Sequence, residues 1–219
     1  TENFKIDKPI FSIPQTHEPE NLAPYCDPVT LAKAKAELNI SDKFVIASFA
    51  RYEQFSDDFL LLIKSLLEKV PNSVVILAGP NAQVSAQRVL QDFITEGRVN
   101  LLGVSKISVL GYCCDVFLDT FPFPTGFAAL ESMAKGKPVF SLDCNLLKQF
   151  RPFLGASRVK RLIFELPEQL ITSLCKAEKD KGFYDQIAIE SIEFVEDNFY
   201  NSSKLSDAFI KVINLVHDP

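Results

Sequence analysis

What this chain has little of narrows its chemistry first. Histidine is scarce, two in 219 residues, and His17 and His217 lie near opposite ends with no partner that sequence can place. A Ser/His/Asp or Cys/His catalytic arrangement is therefore not legible. The five cysteines, Cys26, Cys113, Cys114, Cys144 and Cys175, form no C-x-x-C pair, which argues against a zinc site. Their odd number fits a reducing cytosol better than a disulfide framework, and the adjacent Cys113 and Cys114 read as small core hydrophobes. No Asp-x-Asp motif offers paired carboxylates to a metal. No apolar run reaches the roughly 18 residues of a membrane span. No secretory signal pattern opens the sequence, which starts on Thr1 instead of Met, as expected of a piece of a longer polypeptide. Positive charge is also sparse. A formal net charge of -5 argues against broad nucleic-acid binding, which needs clustered Lys and Arg to neutralise phosphates. There is no internal repeat, and the sequons at Asn39 and Asn201 are weak three-residue matches.

What is present reads as a packed domain, 47% hydrophobic and 23% charged, of a length that fits one domain with appended helices. Thr1 to Pro28 carries five prolines and reads as an extended arm or linker. Thr30 is placed to cap a short helix through Leu38. From Lys43 short apolar runs alternate with amphipathic ones. The expected strands are 44–49, 74–78, 99–102, 116–119, 138–142 and 162–166. Helices are expected over 59–70, 84–96, 105–113 and 127–135, then from Pro167 onward with a break near Gly182. This rhythm indicates right-handed β-α-β units and an α/β fold, a doubly wound parallel sheet. Helices on both faces explain strands that are apolar throughout. Ligands bind such sheets at the carboxyl ends of the strands, which directs attention to the loops 49–54, 79–81, 103–106, 119–128 and 142–145.

One of these loops carries chemistry. Asp115-Val-Phe-Leu-Asp-Thr-Phe-Pro-Phe-Pro-Thr-Gly-Phe-Ala-Ala-Leu-Glu-Ser-Met-Ala-Lys-Gly-Lys-Pro-Val139 reads as strand, tight turn, helix, stop and strand. The turn leaves the backbone N–H groups of Gly126, Phe127 and Ala128 at a helix N-terminus, where they and the helix dipole favour an anion such as a diphosphate. Thr125 either caps the helix or gives its hydroxyl to a phosphate. Glu131, about one turn in, suits ribose hydroxyls; the plainer alternative is an acid favoured by the dipole.

This segment resembles the donor-site signature of GT-B glycosyltransferases. It is most similar to the O-GlcNAc transferase family and its bacterial relatives, including the protein N-glucosyltransferases. The resemblance rests on Leu118-Asp119-Thr120, Phe121-Pro122-Phe123, Glu131 and Gly136-Lys137-Pro138-Val139. Phe49-Ala-Arg-Tyr-Glu-Gln-Phe-Ser56, Val70-Pro-Asn-Ser73 and Leu77-Ala-Gly79 resemble the family's first β-α-β unit. There are departures. The family usually has lysine at the Gln54 slot, where it clamps the donor diphosphate; here Arg51 is the nearby cation. Phe127 and Ala128 replace hydroxyl or amide side chains, and Phe123 replaces the first of a glutamate pair seen in many retaining relatives.

The resemblance implies a Rossmann-like GT-B C-terminal lobe over 29–219, with 1–28 as the arm from an N-terminal lobe of the same polypeptide. The implied function is hexosyl transfer in the cytoplasm from a nucleotide sugar, a UDP-sugar, to an acceptor protein or glycan, without cofactor or metal. Arg51, Gln54, Thr125, Gly126 and Phe127 would hold the diphosphate, Glu131 the ribose, and Ser105 and Lys106 the base. A helix near 205–216 would cross back to the other lobe, and one of Arg151, Arg158, Lys160 and Arg161 faces either the donor or solvent. The catalytic residues are not assigned. Two alternatives remain open: a nucleotide-sugar epimerase lobe, and a non-catalytic interaction domain that keeps the fold.

Overall fold

The computed structural model describes residues 17–80, 82–105, 107–143 and 159–200, with 206, 207, 209, 210 and 213. Six strands form one sheet: β1 (Phe44–Phe49), β2 (Ser73–Ala78), β3 (Val99–Leu102), β4 (Val116–Leu118), β5 (Val139–Leu142) and β6 (Ile163–Phe164). Their order is β3-β2-β1-β4-β5-β6, and every pairing is parallel. The helices among the described residues are α1 (Pro19–Leu22), α2 (Pro28–Glu37), α3 (Asp57–Lys69), α4 (Ala82–Thr95), α5 (Ile107–Cys113), α6 (Phe127–Ala134), α7 (Pro167–Lys179) and α8 (Lys181–Phe199).

The strands are apolar on both sides because each face of the sheet has its own core. On one face Ile46, Val75, Leu77, Val116 and Phe140 meet α3 and α7 through Phe59, Ile63, Leu66, Leu67, Leu170 and Leu174. On the other, Val45, Ala47, Val74, Ile76 and Phe117 meet α1, α5 and α6 through Leu22, Leu110, Cys113, Leu130 and Met133. Helix α3 alone buries six apolar side chains, a gross gain on the order of 10 kcal/mol before ordering entropy is subtracted. Cys113 and Cys114 are wholly buried, and burial pushes the Cys114 thiol up to about 12, so they behave as core hydrophobes. Helix α8 spans the two cores: Ile187 belongs to the first and Val195 to the second.

Three local expectations change. The cap of α2 is Asp27, not Thr30: its carboxylate accepts from the N–H groups of Val29 at 3.0 Å and Thr30 at 2.9 Å, with Pro28 at the first helical position. The arm is not extended where it is described, because Pro19–Leu22 forms a helical turn that buries Leu22. The break between α7 and α8 falls at Asp180, whose side chain caps α8 by accepting from Phe183 N–H at 2.9 Å. The helix expected over 205–216 lies mostly outside the described residues.

Candidate functional site

The strand order reverses between β1 and β4, and in a doubly wound sheet that is where a ligand crevice opens. A cleft of about 270 Å³ lies beside it. Arg51 and Gln54 enter from the β1 exit, Gly79 and Pro80 from β2, Val104 and Ser105 from β3, and Thr125 from the turn between β4 and α6. A larger groove of about 540 Å³ runs between α3 and α7. Asp58, Glu68 and Glu168 rim it against a single lysine, Lys69, so it repels anions.

Close backbone approach shapes the cleft. Ala50 N–H donates to Ala78 O at 3.0 Å and Gly79 N–H to Leu102 O at 3.1 Å, which carries the parallel ladder past the strand ends. Gly79 has φ +155°, and a Cβ there would overlap the carbonyl oxygen of Ala50. Only glycine lets the β1 and β2 exits lie this close.

The turn from Asp119 to Gly126 is cross-linked from several directions. Asp119 is 3% exposed. Its Oδ1 accepts from the backbone N–H and the hydroxyl of Thr125, both at 2.8 Å, and its Oδ2 from the Ser141 hydroxyl at 3.2 Å. The Thr120 hydroxyl donates to Phe123 O at 2.6 Å. From α3, the Ser56 hydroxyl donates to Phe121 O at 2.8 Å while its oxygen accepts from Phe59 N–H. From the β1 exit, Gln54 Nε2 donates to Pro124 O at 2.9 Å and Phe123 O at 3.4 Å. The Phe121–Pro122 peptide is cis.

Helix α6 then begins without a side-chain cap. Its N-cap is Gly126, at φ +64° and ψ -105°, a conformation glycine adopts without steric cost. Thr125 is therefore not the cap, and its hydroxyl hydrogen is committed to Asp119. Gln54 is similarly engaged: its Oε1 accepts from Arg51 N–H at 3.1 Å and its amide hydrogens face the turn carbonyls. Arg51 is exposed and forms no ion pair among the described residues. Thr125 and Gln54 thus hold the frame of the two loops, while the Arg51 side chain and the α6 N-terminus are not engaged by it.

Of the other expected site residues, Ser105 lines the cleft and its hydroxyl donates back to Gly103 O at 3.0 Å. Lys106 lies outside the described residues. Phe127 opens α6 with its ring 48% exposed, and His17 stands edge-on to it at 5.2 Å. Glu131 lies in the second turn of α6. Burial pushes its carboxyl above the usual range, partly offset by the nearby Lys135 ammonium. That ammonium donates to Leu22 O at 2.7 Å and ties α1 to α6. Arg161 faces neither donor nor cleft: it pairs with Glu190 at 2.9 Å and stacks over Phe183. Arg151 and Arg158 lie outside the described residues. Sequence reasoning assigned no role to Ser56, Gly79 or Asp119; the Leu118-Asp119-Thr120 strand ending was the available signal for the last.

No family model matches the sequence, and no characterised relative matches it by sequence. Solved structures do match by shape. HepE from Anabaena, in complex with UDP-glucose, superposes with a TM-score of 0.68 at 19% identity, over 91% of this chain and 56% of that one. An O-GlcNAc transferase mutant from Thermobaculum terrenum gives 0.66 at 20% identity, over 89% and 37%. The C-terminal domain of LpcC, a group 1 glycosyltransferase from Francisella tularensis, gives 0.57 at 15% identity, over 83% and 97%. This chain thus spans about half the length of the HepE structures it matches. At these identities the likeness is one of fold: the chain has the architecture of the C-terminal lobe of GT-B glycosyltransferases.

Proposed function

We propose that the chain is the donor-binding lobe of a cytoplasmic glycosyltransferase, seating a nucleotide sugar, a UDP-sugar, in the cleft at the β1–β4 switch point. One observation carries the reading: the N-terminus of α6, which has no side-chain cap, and Arg51, which forms no ion pair among the described residues, belong to the two loops that close on one cleft. The helix end supplies backbone donors and roughly half a positive charge, and Arg51 a planar fork of donors. Together they offset the charge that builds on a departing diphosphate, the part of glycosyl transfer that electrostatics accelerates most. Glu131 accepts from the ribose hydroxyls, and Ser105, with Lys106, borders the base. The acceptor, protein or glycan, and the remaining catalytic groups belong to an N-terminal lobe reached through residues 1–28. HepE was solved with UDP and with UDP-glucose, which supports the choice of nucleotide. The half-exposed rings of Phe123 and Phe127 favour a second reading, a lobe that keeps the fold for protein contact alone.

Calorimetric titration with UDP, UDP-GlcNAc, UDP-glucose and GDP separates the two. Saturable binding of a UDP compound that Arg51→Ala weakens supports a donor lobe. Absence of binding at millimolar concentration, also in a polypeptide carrying both lobes, sinks it.

A further inference from the structure

Gln54 lines the cleft, yet its hydrogen-bonding atoms are aimed at the protein. We infer that Gln54 is a positioning residue: it fixes the distance between the Arg51 loop and the α6 turn, and acts on a bound diphosphate through them without touching it. The inference rests on the diphosphate reading given above. A side-chain amide has one acceptor oxygen and two donor hydrogens. The oxygen takes Arg51 N–H at 3.1 Å, and the nitrogen faces Pro124 O at 2.9 Å and Phe123 O at 3.4 Å. The orientation of the amide is set by these partners, since two carbonyls require donors and an N–H requires an acceptor. No donor is left for a phosphate.

The partners are distant in sequence but adjacent in the cleft. Gln54 ends the 3-10 turn Tyr52–Gln54 that follows β1. Phe123 and Pro124 precede the uncapped start of α6. One side chain therefore bridges the loop that bears the guanidinium and the loop that bears the helix amides. Ser56 and Asp119 hold the same turn from other sides, so Gln54 is the link that also reaches Arg51. Charged donors bind an anion well only when their spacing is fixed beforehand, because ordering them at binding subtracts from affinity. Lysine could replace the donor half of the bridge and glutamate the acceptor half, but neither supplies both.

The test is a double-mutant cycle read by UDP calorimetry on the full chain, with Gln54→Met, Arg51→Ala and the pair. Thermal melts confirm that each variant folds. Gln54→Met should weaken UDP binding about tenfold, the scale of one or two hydrogen bonds, and by less than about threefold once Arg51 is alanine, because linked groups are non-additive. Equal losses in both backgrounds, or tighter binding by Gln54→Lys than by the native chain, would place the side chain on the ligand and overturn the inference. Amide hydrogen exchange without nucleotide gives a second readout. Gln54→Met should speed exchange at Arg51, and an unchanged rate refutes the bridge. Should neither the native chain nor a polypeptide carrying both lobes bind UDP, the donor-lobe proposal falls, and this exchange rate alone decides whether the bridge exists.

Discussion

The two ends of the cleft are built differently. At the β4–α6 turn, Asp119, Thr120, Ser56 and Gln54 place their hydrogen bonds on residues 121–125. At the β3 exit, among the described residues, the Ser105 hydroxyl donates to nearby Gly103, and Val104 stands 87% exposed. One end is held by long-range hydrogen bonds, and the other, among the described residues, by a local one. If the cleft seats a donor as proposed, the contrast teaches where affinity would reside: the turn end has had its ordering cost met during folding, whereas the β3 end would meet more of it on binding. On the donor-lobe proposal, such a cleft would grip what nucleotides share, the diphosphate, and discriminate less among what distinguishes them.

The strongest way to break the comparison is to destroy the fixed end. Gly79→Ala drives a Cβ into the Ala50 carbonyl and should cost about 3–4 kcal/mol, at the upper end for a single substitution. Thermal or urea unfolding measures it, and a loss under about 1 kcal/mol would show that the β1 and β2 exits can move apart. Asp119→Ala should cost about 3 kcal/mol, because it strands the part-buried Thr125 donors and the buried Ser141 hydroxyl. Asp119→Asn retains one acceptor and should lie between. Both should weaken UDP binding in proportion to how far the turn opens, and full-strength binding by Asp119→Ala would mean that the cross-links do not order the anion end.

Much of this contrast was legible beforehand, for identifiable reasons. The sheet could be read because both faces are covered, so β1 and β2 are almost wholly apolar runs, and because helices end at Gly97 and Gly136, both with positive φ. The helix start at the cleft could be read because a strand, a Pro/Gly turn and a helix start lie within one stretch. The cross-links could not. Gln54 reaches Pro124 across 70 residues and Ser56 reaches Phe121 across 65, and their acceptors are backbone carbonyls, which every residue has. The resemblance placed Gln54 as a ligand contact because it aligns positions, while the direction of an amide is decided by the fold. The Asp27 cap was within reach, since Asp-Pro at a helix start is a known signature; the arm's prolines drew attention from it.

Glu131 tests the anion end through pH. Its carboxyl is raised by burial, so the folded state holds its proton more tightly than the unfolded chain. The sign follows: the folding contribution of this group is present below the ordinary carboxylate pKa and fades as pH rises through the raised value. Binding runs the opposite way, because an ionised Glu131 is the better acceptor for ribose hydroxyls. UDP-glucose affinity should therefore fall as pH is lowered, beginning above the pH at which an ordinary carboxylate near 4.3 would titrate. Glu131→Gln should flatten that profile and weaken binding at neutral pH by about threefold to tenfold. Calorimetry across pH reads both, and an unaltered profile in the variant would remove Glu131 from the site.

The smallest effect should come from the open end. Val104 is exposed and lines the cleft, so Val104→Ser should leave stability within about 0.5 kcal/mol. If the β3 exit orders only on binding, the loss of an apolar contact there should change UDP affinity by less than about fourfold, roughly one methylene of burial. It should do so equally for UDP and UDP-glucose, which share the base. A larger loss would mean that the β3 exit is as well formed as the turn. The cleft would then read its nucleotide at both ends, and the contrast between a fixed anion seat and an unformed base seat would not hold.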